Sequence, residues 1–328
     1  MVRLPTNPPA PPPAAGATPS YDASFRRATP VERPEAIAML LTGRREASDA
    51  AVRPFLDFAA EHGLDLTDLW LGFEGRRLLA TALVVPGVGR TAMLFASPAV
   101  SNARAELTGR LVGHALAHVE AGRFALVQAL LEPGQDLQRR ALEAGGMRHL
   151  AELAYMHRRG QAVGPLPPPK LDGRPLQAVT WSEAERPRFA DAIESSYEST
   201  LDCPGLLGLR DIDDVIAGHM ATGRFDPRRW TVWSDPDDGR PVAVVLLNES
   251  AAARGYELVY LGVCPHARGR GLSRPLMRRA LDVTADLGAY AELFLAVDDA
   301  NAPALRLYGG LGFRVSHRKT ALIHTPNP

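Results

Sequence analysis

The chain has 328 residues, room for two ordinary domains, and 46% of them are hydrophobic, enough for real cores. Its formal net charge is +0, so no global field draws it to nucleic acid or to an anionic membrane. Two cysteines, Cys203 and Cys264, make no disulfide framework, no apolar run approaches the ~18 residues of a membrane span, and no basic-then-apolar signal opens the chain, so the cytoplasm is the expected compartment.

Residues 1–20 are rich in Pro and Ala and hold almost no large apolar side chain, the composition of a disordered tail. Residues 21–163 read as a first domain. Helices are predicted over Pro34 to Leu41 and Ala50 to Glu61. Leu69 to Phe73 and Leu78 to Val85 pattern as paired strands, and Thr91 to Ala96 as another. A helix over Glu106 to Ala121, a strand over Ala125 to Leu131, a helix over Asp136 to Ala144 and a closing strand over Leu150 to His157 complete it. Residues 164–175, with Pro165, Pro167, Pro168 and Pro169, pattern as a semi-rigid linker.

Residues 176–328 read as a second domain. A strand runs from Gln177 to Trp181, Ser182 caps a helix reaching towards Tyr197, and Asp211 to Ala221 is a second helix. Thr231 to Ser234 and Val242 to Asn248 form a hairpin. The stretch from Glu257 to Leu281 then reads strand, glycine loop, helix. Pro265 ends the strand, Gly269 and Gly271 sit in the loop, and Gly288 stands where a helix C-cap glycine belongs. A helix start has free N–H groups and a positive dipole end, so it suits an anion. With Arg268, Arg270 and Arg274 adding charge, the predicted ligand is a pyrophosphate. A dinucleotide fingerprint would need glycine at Arg274, and no P-loop is present. An Arg-Gly tract that binds RNA would repeat and would not lie between a strand and an amphipathic helix.

The segment Arg268-Gly269-Arg270-Gly271-Leu272-Ser273 resembles the acetyl-CoA loop of the GCN5-related N-acetyltransferase (GNAT) family: Arg or Gln, two free positions, Gly, one free position, then Gly or Ala. Ser273 departs from the last of these but is small. Asn301, Ala304, Leu307, Tyr308, Gly312 and Phe313 resemble the family's second signature at every fixed position. The resemblance covers about the last 150 residues.

The resemblance implies an α+β fold of mixed, twisted sheet flanked by helices. It implies acetyl-CoA as co-substrate, and a small-molecule or peptide amine as acceptor. Arg268 to Arg274 would hold the cofactor, with the backbone of Leu261 and Val263 binding the pantetheine arm and Gly262 allowing a bulge or close approach. Asn301 would cap a helix, touch the pantetheine, or both. Tyr308 would be the acid for the departing thiolate, against a purely core role. Glu257, placed by strand alternation on one face with Val259, Leu261 and Val263, would be the base; a water chain and an exposed carboxylate at a strand start are the alternatives. No residue set suggests a metal.

The segment from Leu137 to Arg158 overlies that from Leu305 to His324, which implies an internal duplication and hence two tandem GNAT-like domains. The first copy has Ser97 to Arg104 where the glycine loop belongs and Leu142 in the place of Tyr308, so it is expected to pack and shape the cleft rather than bind cofactor. Tyr197 to Trp230 is the variable acceptor region, with Asp202, Asp211, Asp213, Asp214, His219 and Trp230; acidic groups would suit a cationic amine, but most of them read as a solvated helix start, and Cys203 reads as a small buried thiol. The layout also resembles tandem family members that acetylate the amine of a small thiol precursor. A non-catalytic acyl-CoA-binding regulator is the reading from another class.

Overall fold

A computed structural model of the chain describes residues 22–46, 49–119, 122–160, 166–251 and 253–326. The tail expected over residues 1–20 lies outside them. The first half runs β1 (Ala23–Arg27), α1 (Arg33–Thr42), α2 (Asp49–Glu61), β2 (Leu69–Glu74), β3 (Arg77–Gly87), β4 (Thr91–Ala96), α3 (Asn102–Ala117), β5 (Leu126–Leu131), α4 (Asp136–Ala144) and β6 (Arg148–Arg159). A short hairpin, β7 (Lys170–Leu171) and β8 (Arg174–Pro175), follows. The second half runs β9 (Gln177–Thr180), α5 (Arg186–Tyr197), α6 (Ile212–Ala221), β10 (Trp230–Ser234), β11 (Pro241–Glu249), β12 (Gly255–Val263), α7 (Ser273–Leu276), α8 (Arg278–Asp286), β13 (Glu292–Asp298), α9 (Ala302–Gly310) and β14 (Arg314–His324).

The two halves share one sheet. Its twelve strands lie in the order β1-β2-β3-β4-β5-β14-β6-β13-β12-β11-β10-β9. Each half builds four antiparallel strands and then one parallel pair, β4 with β5 and β12 with β13. The closing strands are exchanged: β14 pairs with β5 of the first half, β6 pairs with β13 of the second, and β6 and β14 pair along the middle. Val127 faces His324 just as Leu293 faces Arg158, so the exchange keeps the register of the duplication. Both closing strands carry the same pattern, and either fits either edge. The strand bodies were legible in the sequence; independent sheets are not what forms.

Three further differences matter. Helix α3 starts at Asn102, with the Ser101 hydroxyl accepting the Arg104 amide at 3.3 Å, four residues earlier than the apolar spacing suggested. The expected linker is partly structured: the β7–β8 hairpin turns at Asp172 (φ 51°) and Gly173 (φ 81°) and buries Leu171 in the core of the second half. The β3–β4 hairpin reaches across to α6, where Arg90 lies 3.7 Å from both Asp211 and Asp214. Among the described residues, no helix is long and apolar enough to cross a membrane.

Two cores sandwich the second half of the sheet. On one face α5 and α6 pack Phe189, Ile193, Val215 and Ile216 onto Trp230, Val232, Val244 and Leu246. On the other, α7, α8 and α9 pack Leu276, Met277, Leu281 and Tyr308 onto Val245, Leu258, Leu293 and Leu295. The cleft described next opens between these layers.

Candidate active site

Strands β12 and β13 begin parallel and then part. Their ladder joins Gly255, Tyr256 and Glu257 to Glu292, Leu293 and Phe294, and goes no further. From Leu258 onward the β13-side edge of β12 has no strand partner, which leaves backbone groups for an added ligand strand. The gap is a cleft of about 410 Å³, lined among others by Leu261, Gly262, Val263, Leu295, Val297, Asn301 and Tyr308.

The glycine loop closes one end. Gly269 (φ 75°) and Gly271 (φ 72°) are both left-handed, a conformation that costs an L-residue ~1–2 kcal/mol. A Cβ at either glycine would meet nothing within 4 Å, so the space beside the loop is open. Among the described residues, the amides of Gly269, Arg270, Gly271 and Leu272 donate to no backbone carbonyl. Arg268, Gly269, Gly271, Leu272 and Ser273 all line the cleft. Free amides next to a helix start are what a pyrophosphate needs, so the residues present fit acetyl-CoA.

The arginine side chains are engaged elsewhere. Arg268 donates to the carbonyls of Val263 (3.0 Å), Ser196 (2.8 Å) and Ser199 (3.3 Å). Arg270 pairs with Asp172 of the β7–β8 hairpin. Arg274 donates to the Gly310 carbonyl at 2.8 Å. In this structure the loop offers backbone amides, and the guanidinium groups fasten it to its surroundings.

Glu257 is also placed differently from expectation. The β11–β12 register slips between Leu246 and Leu247, opposite Tyr260 and Leu258, so Val259 is an extra residue. Val259 and Tyr260 both turn to the α5 layer, while Tyr256, Leu258, Leu261 and Val263 turn to the other. Glu257 thus shares no face with Leu261 and Val263, and it lies outside the cleft lining. Burial raises its pKa, and its charge helps to raise that of Tyr155 on β6. Gly262 is not the bulge either. A Cβ there would lie 2.3 Å from Ser196 Oγ, so the glycine lets α5 approach the strand.

Tyr308 and Asn301 both line the cleft. The Asn301 side chain accepts the Ala304 amide at 3.2 Å, capping α9, and lines the cleft. Tyr308 packs its ring 5.6 Å from that of Phe313, and its hydroxyl makes no hydrogen bond among the described residues. Burial, aided by the charge of Asp202, raises its pKa, so it stays protonated and able to donate.

Of the polar candidates between Tyr197 and Trp230, only Asp202 lines the cleft. Asp211 and Asp214 face Arg90, and Asp213 pairs with Arg186 at 2.8 Å. His219 is buried against the Tyr260 ring, and burial with Arg210 nearby pulls its pKa down to about 4. Cys203 is half-buried, not buried as expected; desolvation, with Asp202 and Asp298 close by, pushes its thiol up to about 12, which does not suit a nucleophile.

The first half repeats the splay without the chemistry. Strands β4 and β5 pair only over Thr91–Met93 and Leu126–Gln128. Where the glycine loop would donate its amides, the Gln138 side chain accepts from Ala99 N (2.8 Å) and donates to Ala96 O (3.3 Å). Leu142 fills the place of Tyr308 at 1% exposure, and the cavity of about 510 Å³ there is walled chiefly by Leu, Phe, Val and Met.

This cleft lies within the match to the model of the Acetyltransferase (GNAT) family, which covers residues 178–313. Residues 178–313 are a GNAT domain. Over 178 residues the chain is 32% identical to a mycothiol acetyltransferase of Beutenbergia cavernae, covering 52% of this chain and 58% of that protein. Over 85 residues it is 34% identical to a streptothricin acetyltransferase of Streptomyces lavendulae, covering 26% of this chain and 44% of that one. The chain thus spans about half the length of the curated relatives it matches. A GCN5-related N-acetyltransferase of Sphaerobacter thermophilus shares the fold, with a TM-score of 0.56 at 21% identity over 93% of this chain and 96% of that one. The GNAT domain accounts for the loop, the splayed strands and Tyr308; the exchanged β6, which flanks its β13, lies before the matched residues.

Proposed function

We propose that the chain is an acetyl-CoA-dependent N-acetyltransferase that acts on a primary amine, with one working cleft, in the second half. The observation that carries this is the splay of β12 from β13, with free loop amides at one end and the Tyr308 hydroxyl in its wall. Acetyl-CoA supplies the activated acetyl group. The amides of Gly269 to Leu272 and the start of α7 hold the pyrophosphate, and the open edge of β12 at Leu261 and Val263 takes the pantetheine arm. A β12 amide on that edge polarises the thioester carbonyl. The amine nitrogen forms the new C–N bond as the C–S bond breaks. Tyr308 gives its proton to the departing sulfur. The proton lost by the amine passes to Glu257, and because Glu257 stands outside the cleft wall, water carries it there.

A narrower reading makes the acceptor the amine of a small thiol precursor, supported by the 32% identity to a mycothiol acetyltransferase. The presence of Tyr308 in the cleft wall and of Glu257 on β12 favours an enzyme over an acyl-CoA-binding regulator.

Thiol release from acetyl-CoA with a panel of alkylamines and amino sugars tests this. Turnover is expected with at least one amine, and Tyr308→Phe should lower it by ~100-fold, the lower end for a general acid because the thiolate leaves readily. Tight acetyl-CoA binding with no turnover on any amine would point to the regulator instead.

A further inference from the structure

One side chain joins the cofactor loop to the wall of the cleft. Two of the three carbonyls that Arg268 holds, those of Ser196 and Ser199, belong to the last turn of α5 and the second residue beyond it. Carbonyls there have no partner within the helix, and a cation is favoured beside them. The third carbonyl, of Val263, ends β12. The segment that leaves α5 then crosses the mouth of the cleft. At its far side the Asp298 amide, ending β13, donates to Asp202 Oδ1 at 2.8 Å, and the Cys203 amide donates to Asp298 Oδ2 at 3.2 Å. Residues 196–203 are thus a strap fastened to both lips of the cleft, and Ser196, Ser199, Thr200, Leu201 and Asp202 wall it. Ser199 (φ 51°) and Cys203 (φ 47°) are both left-handed without being glycine, so the path is held by its two fastenings against local preference.

We propose that Arg268 is a positioning residue for the acceptor side of this cleft, not a phosphate ligand: it transmits the placement of the cofactor loop to the strap that the acceptor amine meets. This rests on the acetyltransferase reading. All the donors seen in use on Arg268 point at the strap and at β12, which leaves the pyrophosphate to the loop amides. The strap brings Asp202 and the 55%-exposed Leu201 to the cleft, groups suited to an ammonium and its alkyl chain.

The two roles separate by choice of donor substrate. S-Acetylpantetheine carries the thioester and pantetheine but neither nucleotide nor pyrophosphate. Removing a phosphate ligand lowers kcat/KM for acetyl-CoA and spares acetylpantetheine, so the preference between the two donors collapses. Removing a positioning residue lowers both alike. For Arg268→Gln in the full chain we expect a loss of ~100-fold with either donor, the scale of a misplaced reacting group. Arg268→Lys, with a shorter reach and no fork, should recover only part. Backbone amide exchange over residues 197–203 should speed up in Arg268→Gln, while calorimetry gives a CoA affinity within ~3-fold of wild type, under 1 kcal/mol. A collapsed donor preference, or unchanged exchange over the strap, overturns the proposal. If the wild type acetylates no amine with either donor, the enzyme reading fails, and exchange with calorimetry still decide what Arg268 does.

Discussion

Asp298 donates its amide to Asp202 Oδ1 at 2.8 Å and, through its own Oδ2, accepts the amide of Cys203 at 3.2 Å. The two carboxylates thus stand close together in a poorly hydrated place, tied by backbone amides and not by a cation. Burial, helped by the Asp298 charge and opposed by the hydrogen bond from the Asp298 amide, raises the Asp202 pKa above its ordinary 3.8. A carboxyl raised on folding binds more protons folded than unfolded between its two pKa values. Its contribution to stability therefore falls as pH rises through that window. Asp202→Asn keeps an oxygen for the Asp298 amide and carries no charge. It should be at least as stable as wild type at pH 7 in urea titrations, with any advantage shrinking as the pH falls towards the ordinary value. Asp202→Ala leaves the Asp298 amide unpaired and should cost ~1–3 kcal/mol at either pH. An Asp202→Asn protein clearly less stable than wild type at pH 7 would mean that the charge itself holds the strap.

Gly262 tests whether α5 must touch β12. A Cβ there would lie 2.3 Å from Ser196 Oγ, 2.7 Å from Ser196 Cβ and 2.8 Å from the Tyr260 ring. Ser196 has little freedom to yield, because its hydroxyl bonds the Ile193 carbonyl at 2.9 Å and the Tyr260 hydroxyl at 2.8 Å. Gly262→Ala should destabilise by ~1–3 kcal/mol as α5 is pushed away. Since α5 carries the strap, KM for the acceptor should rise more than KM for acetyl-CoA. Ser196→Gly removes the obstacle, so the double variant should recover stability that neither single change predicts. Strictly additive energies in this cycle would show that the two residues do not collide.

What the sequence revealed is what local pattern encodes. The glycine loop, the Asn301 cap and Tyr308 depend on residues close in the chain, and the structure brings Asn301, Tyr308 and most of the loop to one cleft. The misplacements have specific causes. The run Leu258-Val259-Tyr260-Leu261 is apolar towards both layers, so no polar alternation betrays the extra residue at Val259. A guanidinium suits a phosphate and three carbonyls equally well, and two of the carbonyls Arg268 meets come from the distant α5 and the residues after it. The strand exchange is invisible because the duplication makes β6 and β14 equivalent partners. Asp202 was one acidic residue among several until the Asp298 contact, 96 positions away, singled it out.

The exchange predicts where the chain can be cut. A fragment of residues 176–328 contains the whole GNAT match but loses β6, which pairs with β13 from Glu292 to Asp298 and with β14 from Arg314 to Ile323. It also loses Leu171, which is 6% exposed in the core that holds Ala267 and Leu272 beneath the cofactor loop. Burying one such leucine contributes ~1.5–3 kcal/mol, and two bare strand edges invite association. This fragment should lack a cooperative melt and bind CoA poorly. Residues 147–328 restore β6 between β13 and β14 and return Leu171, leaving only the β5 side of β14 open. That longer fragment should melt cooperatively and bind CoA with an affinity near that of the full chain, while still tending to self-associate through β14. Thermal melts, calorimetry and light scattering on the two fragments decide the matter. A cooperative, monomeric 176–328 fragment with full-chain CoA affinity would show that β6 and the hairpin are dispensable to the cleft they flank.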